Sequence, residues 1–84
     1  MEDFLAALAR LPDGTFEGQA HGRTYVVSRH TVANGRGEKL VADALDGSDY
    51  ISLNLYHLVS GAQLRPCEMP AEKVIAFVCD LTPL

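Results

Sequence analysis

The chain has 84 residues, 48% of them hydrophobic and 21% charged, with a net charge of −4. A chain this short buries only about 60–65% of the surface its unfolded form exposes, so residues 1–84 make one domain with one modest core. The composition excludes a disordered segment, and the negative charge speaks against nucleic-acid binding driven by phosphate neutralisation.

Residues 3–11, DFLAALARL, read as a short helix. Phe4, Leu8 and Leu11 recur at helical spacing with Leu5 beside them, and Glu2 and Asp3 suit the positive end of its dipole. Pro12-Asp13-Gly14 stops it. A β-hairpin follows, turning at His21-Gly22. In that register Gly18 faces Tyr25, Phe16 faces Val27 and Gln19 faces Thr24. Phe16, Gly18, Ala20, Tyr25 and Val27 then share an apolar face, and Thr15, Glu17, Gln19, Thr24 and Ser28 a polar one. Tyr25 is placed to cover the bare backbone of Gly18.

Asn34-Gly35-Arg36-Gly37 is a turn. Residues 38–46 carry Leu40, Val41, Ala44 and Leu45 at helical spacing, with Gly47 at the C′ position, and predict a short helix. A third strand is the competing reading. Residues 50–58, YISLNLYHL, alternate apolar and polar and predict a strand. A turn at Ser60-Gly61 returns it into residues 63–67, with Tyr56 opposite Arg65 and Asn54 opposite Cys67. Leu53, Leu55, His57, Leu64 and Glu68 take the mostly apolar face. From Pro70 to about Cys79 an amphipathic helix turns Val74, Ile75, Phe77 and Val78 inward, with Cys79 a small buried hydrophobe. Met69 lies over its entrance, and Leu81–Leu84 trail away. The expected architecture is α+β: an antiparallel sheet of two hairpins, packed by the N- and C-terminal helices.

The polar face of the second hairpin gathers Asn54, Tyr56, Arg65 and Cys67. Donors, an acceptor, a permanent cation and a thiol make it the candidate binding face, fit for an anion or a peptide carboxylate. The competing reading is an ordinary solvated strand face. A nucleophilic Cys67 needs a base and a nearby cation, and Glu68 works against a thiolate. His21, His30, His57, Cys67 and Cys79 lack the short spacings of zinc modules, and no phosphate-loop pattern occurs, so no metal or cofactor is expected. Cys67 and Cys79, twelve residues apart, are expected as free thiols in a cytoplasmic protein, since the acidic start is unlike a leader peptide and no apolar run would span a membrane.

The block DYISLNLYHL…LRPCEMPAEKVIAFV, residues 49–78, resembles one in small uncharacterised bacterial proteins. Asn54, Tyr56, Pro66, Cys67, Glu68, Met69 and Pro70 are its most distinctive part, and GRTYVVSR before it adds to the likeness. The resemblance implies a free-standing bacterial domain and brings no activity with it. The leading expectation is a small non-catalytic binding or protein-interaction domain. Its partner would be a protein, a peptide or a small anion, or a second copy pairing through an open strand edge. The alternative is a small thiol-dependent enzyme or a redox-sensitive switch using Cys67.

Overall fold

A computed structural model describes all 84 residues. Helix α1 (Glu2–Ala9) leads into β1 (Gly14–Ala20) and β2 (Arg23–Val32). A short 3-10 turn over Ala33–Gly35 precedes β3 (Gly37–Ala44), then come β4 (Tyr50–Leu58) and β5 (Gly61–Pro66). Helix α2 (Ala71–Asp80) and a two-residue β6 (Thr82–Pro83) close the chain. The strands form one antiparallel sheet in the order β5-β4-β3-β2-β1-β6. Short connections keep sequence neighbours adjacent in space, so β1 to β5 form a plain meander. The α+β architecture with both helices packed on the sheet is as the sequence predicts.

Both helices cover the same side. Phe4, Ala7, Leu8 and Leu11 at the N-terminal end and Val74, Phe77, Val78 and Leu81 at the C-terminal end join one core cluster with the inward strand residues. The latter are Ala20, Tyr25, Val27, Leu40, Ala42, Ala44, Ile51, Leu53 and Leu55. Tyr25 and Phe77 meet edge to face, with ring centroids 4.8 Å apart, the arrangement that aromatic quadrupoles favour.

The first hairpin has the predicted register, Gly18 to Tyr25, Phe16 to Val27 and Gln19 to Thr24. Other expectations are corrected. Residues 37–44 are a strand, not a helix: Leu40, Ala42 and Ala44 point inward, and both edges of β3 are paired, with β2 and β4. An isolated helix of this length is marginal, whereas a central strand gains ladder bonds on both sides. The second hairpin turns at Val59-Ser60, with Leu58 opposite Gly61 at φ 124°. Asn54 therefore faces Arg65 and Tyr56 faces Gln63. Because the shift is two residues, no strand side chain changes face. Glu68 leaves the ladder in a left-handed conformation, φ 62°, and is exposed.

The C-terminal tail is built in. Leu81 is buried, Thr82–Pro83 pair with β1, and the Leu84 N–H donates to the Glu17 carbonyl at 2.9 Å. Leu81 is also what covers Gly18, its Cδ1 lying 2.8 Å from where a Cβ would sit, a role the sequence assigned to Tyr25. Cys79 is exposed rather than buried, because the helix turns Val74, Phe77 and Val78 to the core and leaves Cys79 on the far side.

Polar side chains close the ends of the core. Arg29 and Glu38 sit at inward positions near its lower rim, with side chains only 13% and 16% exposed. Arg29 Nε donates to Glu38 Oε1 at 2.9 Å, Nη2 donates to the same oxygen, and Nη1 donates to the Leu11 carbonyl at 2.5 Å, tying the end of the α1 segment to the sheet. His57 Nε2 lies 3.0 Å from Glu38 Oε2. Burial works against the Glu38 charge, but the bonds from Arg29 and His57 outweigh it and hold its carboxyl below the usual carboxylate range. At the opposite rim, Asp49 in the β3–β4 turn accepts from Lys73 Nζ of α2 at 2.7 Å and from the Tyr25 hydroxyl at 3.1 Å. The Lys73 bond is the main cause of its lowered pKa.

Candidate functional site

The other side of the sheet has no covering layer. Its side chains come from the alternate positions of the strands that build the core, and registers align them in rows across the sheet. One row reads Glu17, Val26, Asp43, Tyr50; the next reads Thr15, Ser28, Val41, Ser52. The Cys67 N–H donates to the Ser52 carbonyl at 3.0 Å and extends that second row by one residue. A third reads His30, Lys39, Asn54, Arg65, and a fourth Val32, Gly37, Tyr56, Gln63. Among these, Val26, Ser28, Val41, Ser52, Asn54, Tyr56 and Cys67 are half-buried by their neighbours alone.

Asn54, Tyr56, Arg65 and Cys67 all come to this face, as the hairpin pattern predicts, although their pairing is shifted. Asn54 sits between Lys39 on one side and Arg65 on the other. Its Nδ2 donates to the Cys67 Sγ at 3.7 Å, a diagonal contact to the next row. Tyr56 is placed by an absence of bulk opposite it. A Cβ on Gly37 would stand 3.0 Å from Tyr56 Cδ1 and 3.1 Å from Val32 Cγ2, so the ring lies against the bare glycine beside Val32. The tyrosine is thereby fixed on a rigid strand with one flank packed.

Lys39 is the residue that sequence reasoning missed. Assigned to a helix it had no relation to Asn54; as a central-strand residue it flanks it. The usable signal was alternation at Leu40, Ala42 and Ala44, which places Lys39, Val41 and Asp43 together on the opposite face. Neither Lys39 nor Arg65 joins an ion pair within the chain. Two free cations flanking an amide, with a phenol in the next row, can hold a carboxylate or phosphate oxygen by charge-assisted bonds.

The remaining reactive groups lie apart from this face or are engaged. The His21 N–H donates to Asp80 Oδ2 at 2.7 Å, joining the first turn to the end of α2. His57 contacts Glu38, and Cys79 lies on α2. An open cavity of about 370 Å³ is lined by Asp13, Gly14, Arg29, His30 and Thr31. Another of about 330 Å³ is lined by Gln19, Ala20, His21, Gly22, Asp80 and Thr82. Neither includes Asn54, Tyr56, Arg65 or Cys67. No helix is long and apolar enough to cross a membrane.

Comparison with family models, with curated proteins and with solved structures returned no match.

Proposed function

We propose that this chain is a non-catalytic protein-interaction domain that binds an acidic partner segment on the uncovered face of its sheet, at Lys39, Asn54, Tyr56 and Arg65. The single observation that carries the reading is the one-sided packing. Two helices are spent on one face, while the other keeps half-buried apolar and amide side chains beside two cations that no internal acid neutralises. Residues on strands hold their positions better than residues on loops, and a flat, pre-formed surface binds without an ordering cost. A small anion would use the same row. A bacterial, cytoplasmic setting accords with the sequence and is part of the same proposal.

The test is a titration followed in the amide spectrum, with hexaglutamate as the peptide probe and inorganic phosphate as the small one. Shifts are expected at Lys39, Asn54, Tyr56 and Arg65, and their loss in a Lys39→Ser/Arg65→Ser double variant. Shifts centred on Arg23 or Arg36 instead, or none with either probe, would refute the reading.

A second reading has one observation in its favour. The Asn54 amide donates to the Cys67 sulfur, so a thiol-dependent enzyme or redox-sensitive switch would have its sulfur already oriented. Alkylation by iodoacetamide separates the two thiols. Cys67 reacting no faster than the exposed Cys79, with Asn54→Ala leaving the rate unchanged, would dispose of it.

A further inference from the structure

The charges on the uncovered face are sorted. Glu17 and Asp43 lie in one row, and Glu68 reaches the Tyr50 end of that row, its Oε2 3.5 Å from the Tyr50 hydroxyl. His30, Lys39 and Arg65 lie in a parallel row four positions along the strands. The row between them is uncharged and mostly small: Thr15, Ser28, Val41, Ser52 and Cys67. Glu17, Asp43, Lys39 and Arg65 make no ion pair inside the chain.

From this pattern we infer that the acidic partner is a second copy of the chain, stacked face to face about a two-fold axis running along the neutral row. That rotation carries the acidic row of one copy over the basic row of the other. Asp43 meets Lys39 of the second copy, Val41 meets Val41, Tyr50 meets Asn54, and Arg65 comes over the Glu68 end. Because the axis is two-fold, each contact between different residues occurs twice, which is the self-complementarity an isologous interface needs. The small central row lets the two sheets approach to the ~10 Å separation of a sandwich, within reach of paired Asp and Lys side chains. Five strands at ~4.8 Å spacing and four rows at ~6.7 Å spacing give a face on the order of 650 Å² per copy. Stable interfaces bury about 600–1,000 Å² per partner, so the face falls at the lower end of that range. The inference rests on the uncovered face being the interaction surface and names its occupant.

Charge exchange tests it in the full-length chain. Sedimentation equilibrium at low salt should find the native chain dimeric. Asp43→Lys alone and Lys39→Asp alone should each raise the dimer dissociation constant on the order of tenfold or more, by turning two attractions into repulsions. An equimolar mixture of the two variants should dimerise again, since positions 39 and 43 of one copy then carry charges opposite to positions 43 and 39 of the other. Both sites are exposed, and unchanged circular dichroism will verify that each variant is folded. A native chain that stays monomeric at millimolar concentration would overturn the inference. If hexaglutamate still shifts Lys39, Asn54 and Arg65 in that monomer, the binding face survives and only the occupant is wrong. A dimer insensitive to both single variants would also overturn it and assign the contact to another surface, the free edge of β5 first.

Discussion

Adjacent residues on the central strands live in opposite surroundings. Leu53 on β4 is fully buried beneath the helices, while Ser52 and Asn54 on either side of it are half-covered by nothing but their neighbours. The two faces are made by the same backbone and the same ladder. What differs is the alternate set of side chains, apolar inside and mostly polar outside, and the helix layer that covers only the first. The inner face holds the fold together through burial; the outer face contributes little to that and carries Glu17, Asp43, Lys39 and Arg65 outside any ion pair of the chain.

The largest expected effect separates the faces directly. Leu53→Ala should cost about 2–5 kcal/mol in denaturant unfolding, through lost transfer energy and the cavity left behind. Val41→Ala, on the outer face of β3, should cost about 0.5 kcal/mol or less in the dilute monomer. Equal costs would mean that the outer face is covered in solution too. Next comes the polar rim. Glu38→Gln removes an acceptor shared by Arg29 and His57 and should lower stability by about 2 kcal/mol, as for other bonds to charged groups. Should the loss be near zero, the Arg29 contact to the Leu11 carbonyl would be what holds α1.

Gly37→Ala tests how the outer face positions Tyr56. The added Cβ would press on Tyr56, on Val32 and on the Leu55 carbonyl 3.2 Å away, and backbone cannot yield as a side chain can. About 1–2 kcal/mol of destabilisation is expected, with changed Tyr56 ring resonances. A silent substitution would remove the glycine from the account of the site.

The smallest effect is in pH. Glu38 and Asp49 both have folded-state pKa values below their ordinary ones. Their contribution is therefore complete above the unfolded carboxylate range of about 4 and lost as pH falls through the lower folded values. Melting temperature should drop on acidification below about pH 4. Asp49→Asn should flatten that slope while costing about 1 kcal/mol at pH 7. A variant with an unaltered acid slope would show that the Lys73–Asp49 contact carries no linkage.

Much of this molecule was legible in its residues. The first hairpin could be registered outright, because Phe16, Gly18, Tyr25 and Val27 admit one pairing that keeps apolar residues together. The four residues of the candidate face were found for the same reason: alternation decides faces even when the turn is misplaced by one residue. Pro66, which has no N–H to give a ladder, is the last residue of the edge strand β5. Residues 37–44 failed because Leu40, Val41, Ala44 and Leu45 satisfy a helical spacing as well as Leu40, Ala42 and Ala44 satisfy a strand. With that segment misassigned, Lys39 and Asp43 could not be placed on the outer face, nor Arg29 be given its partner Glu38.

The sequence by itself determined the two helices and the inward or outward sense of the residues in β1, β2, β4 and β5, since these depend on neighbours a few positions away. Tertiary structure decided what depends on distant partners. It made residues 37–44 a strand, because only β2 and β4 together could satisfy both of its edges. It folded the last four residues back along β1, because Leu81 had a bare Gly18 to cover. And it placed both helices on one side, which leaves Asn54, Tyr56, Arg65 and Cys67 on a surface rather than in a core.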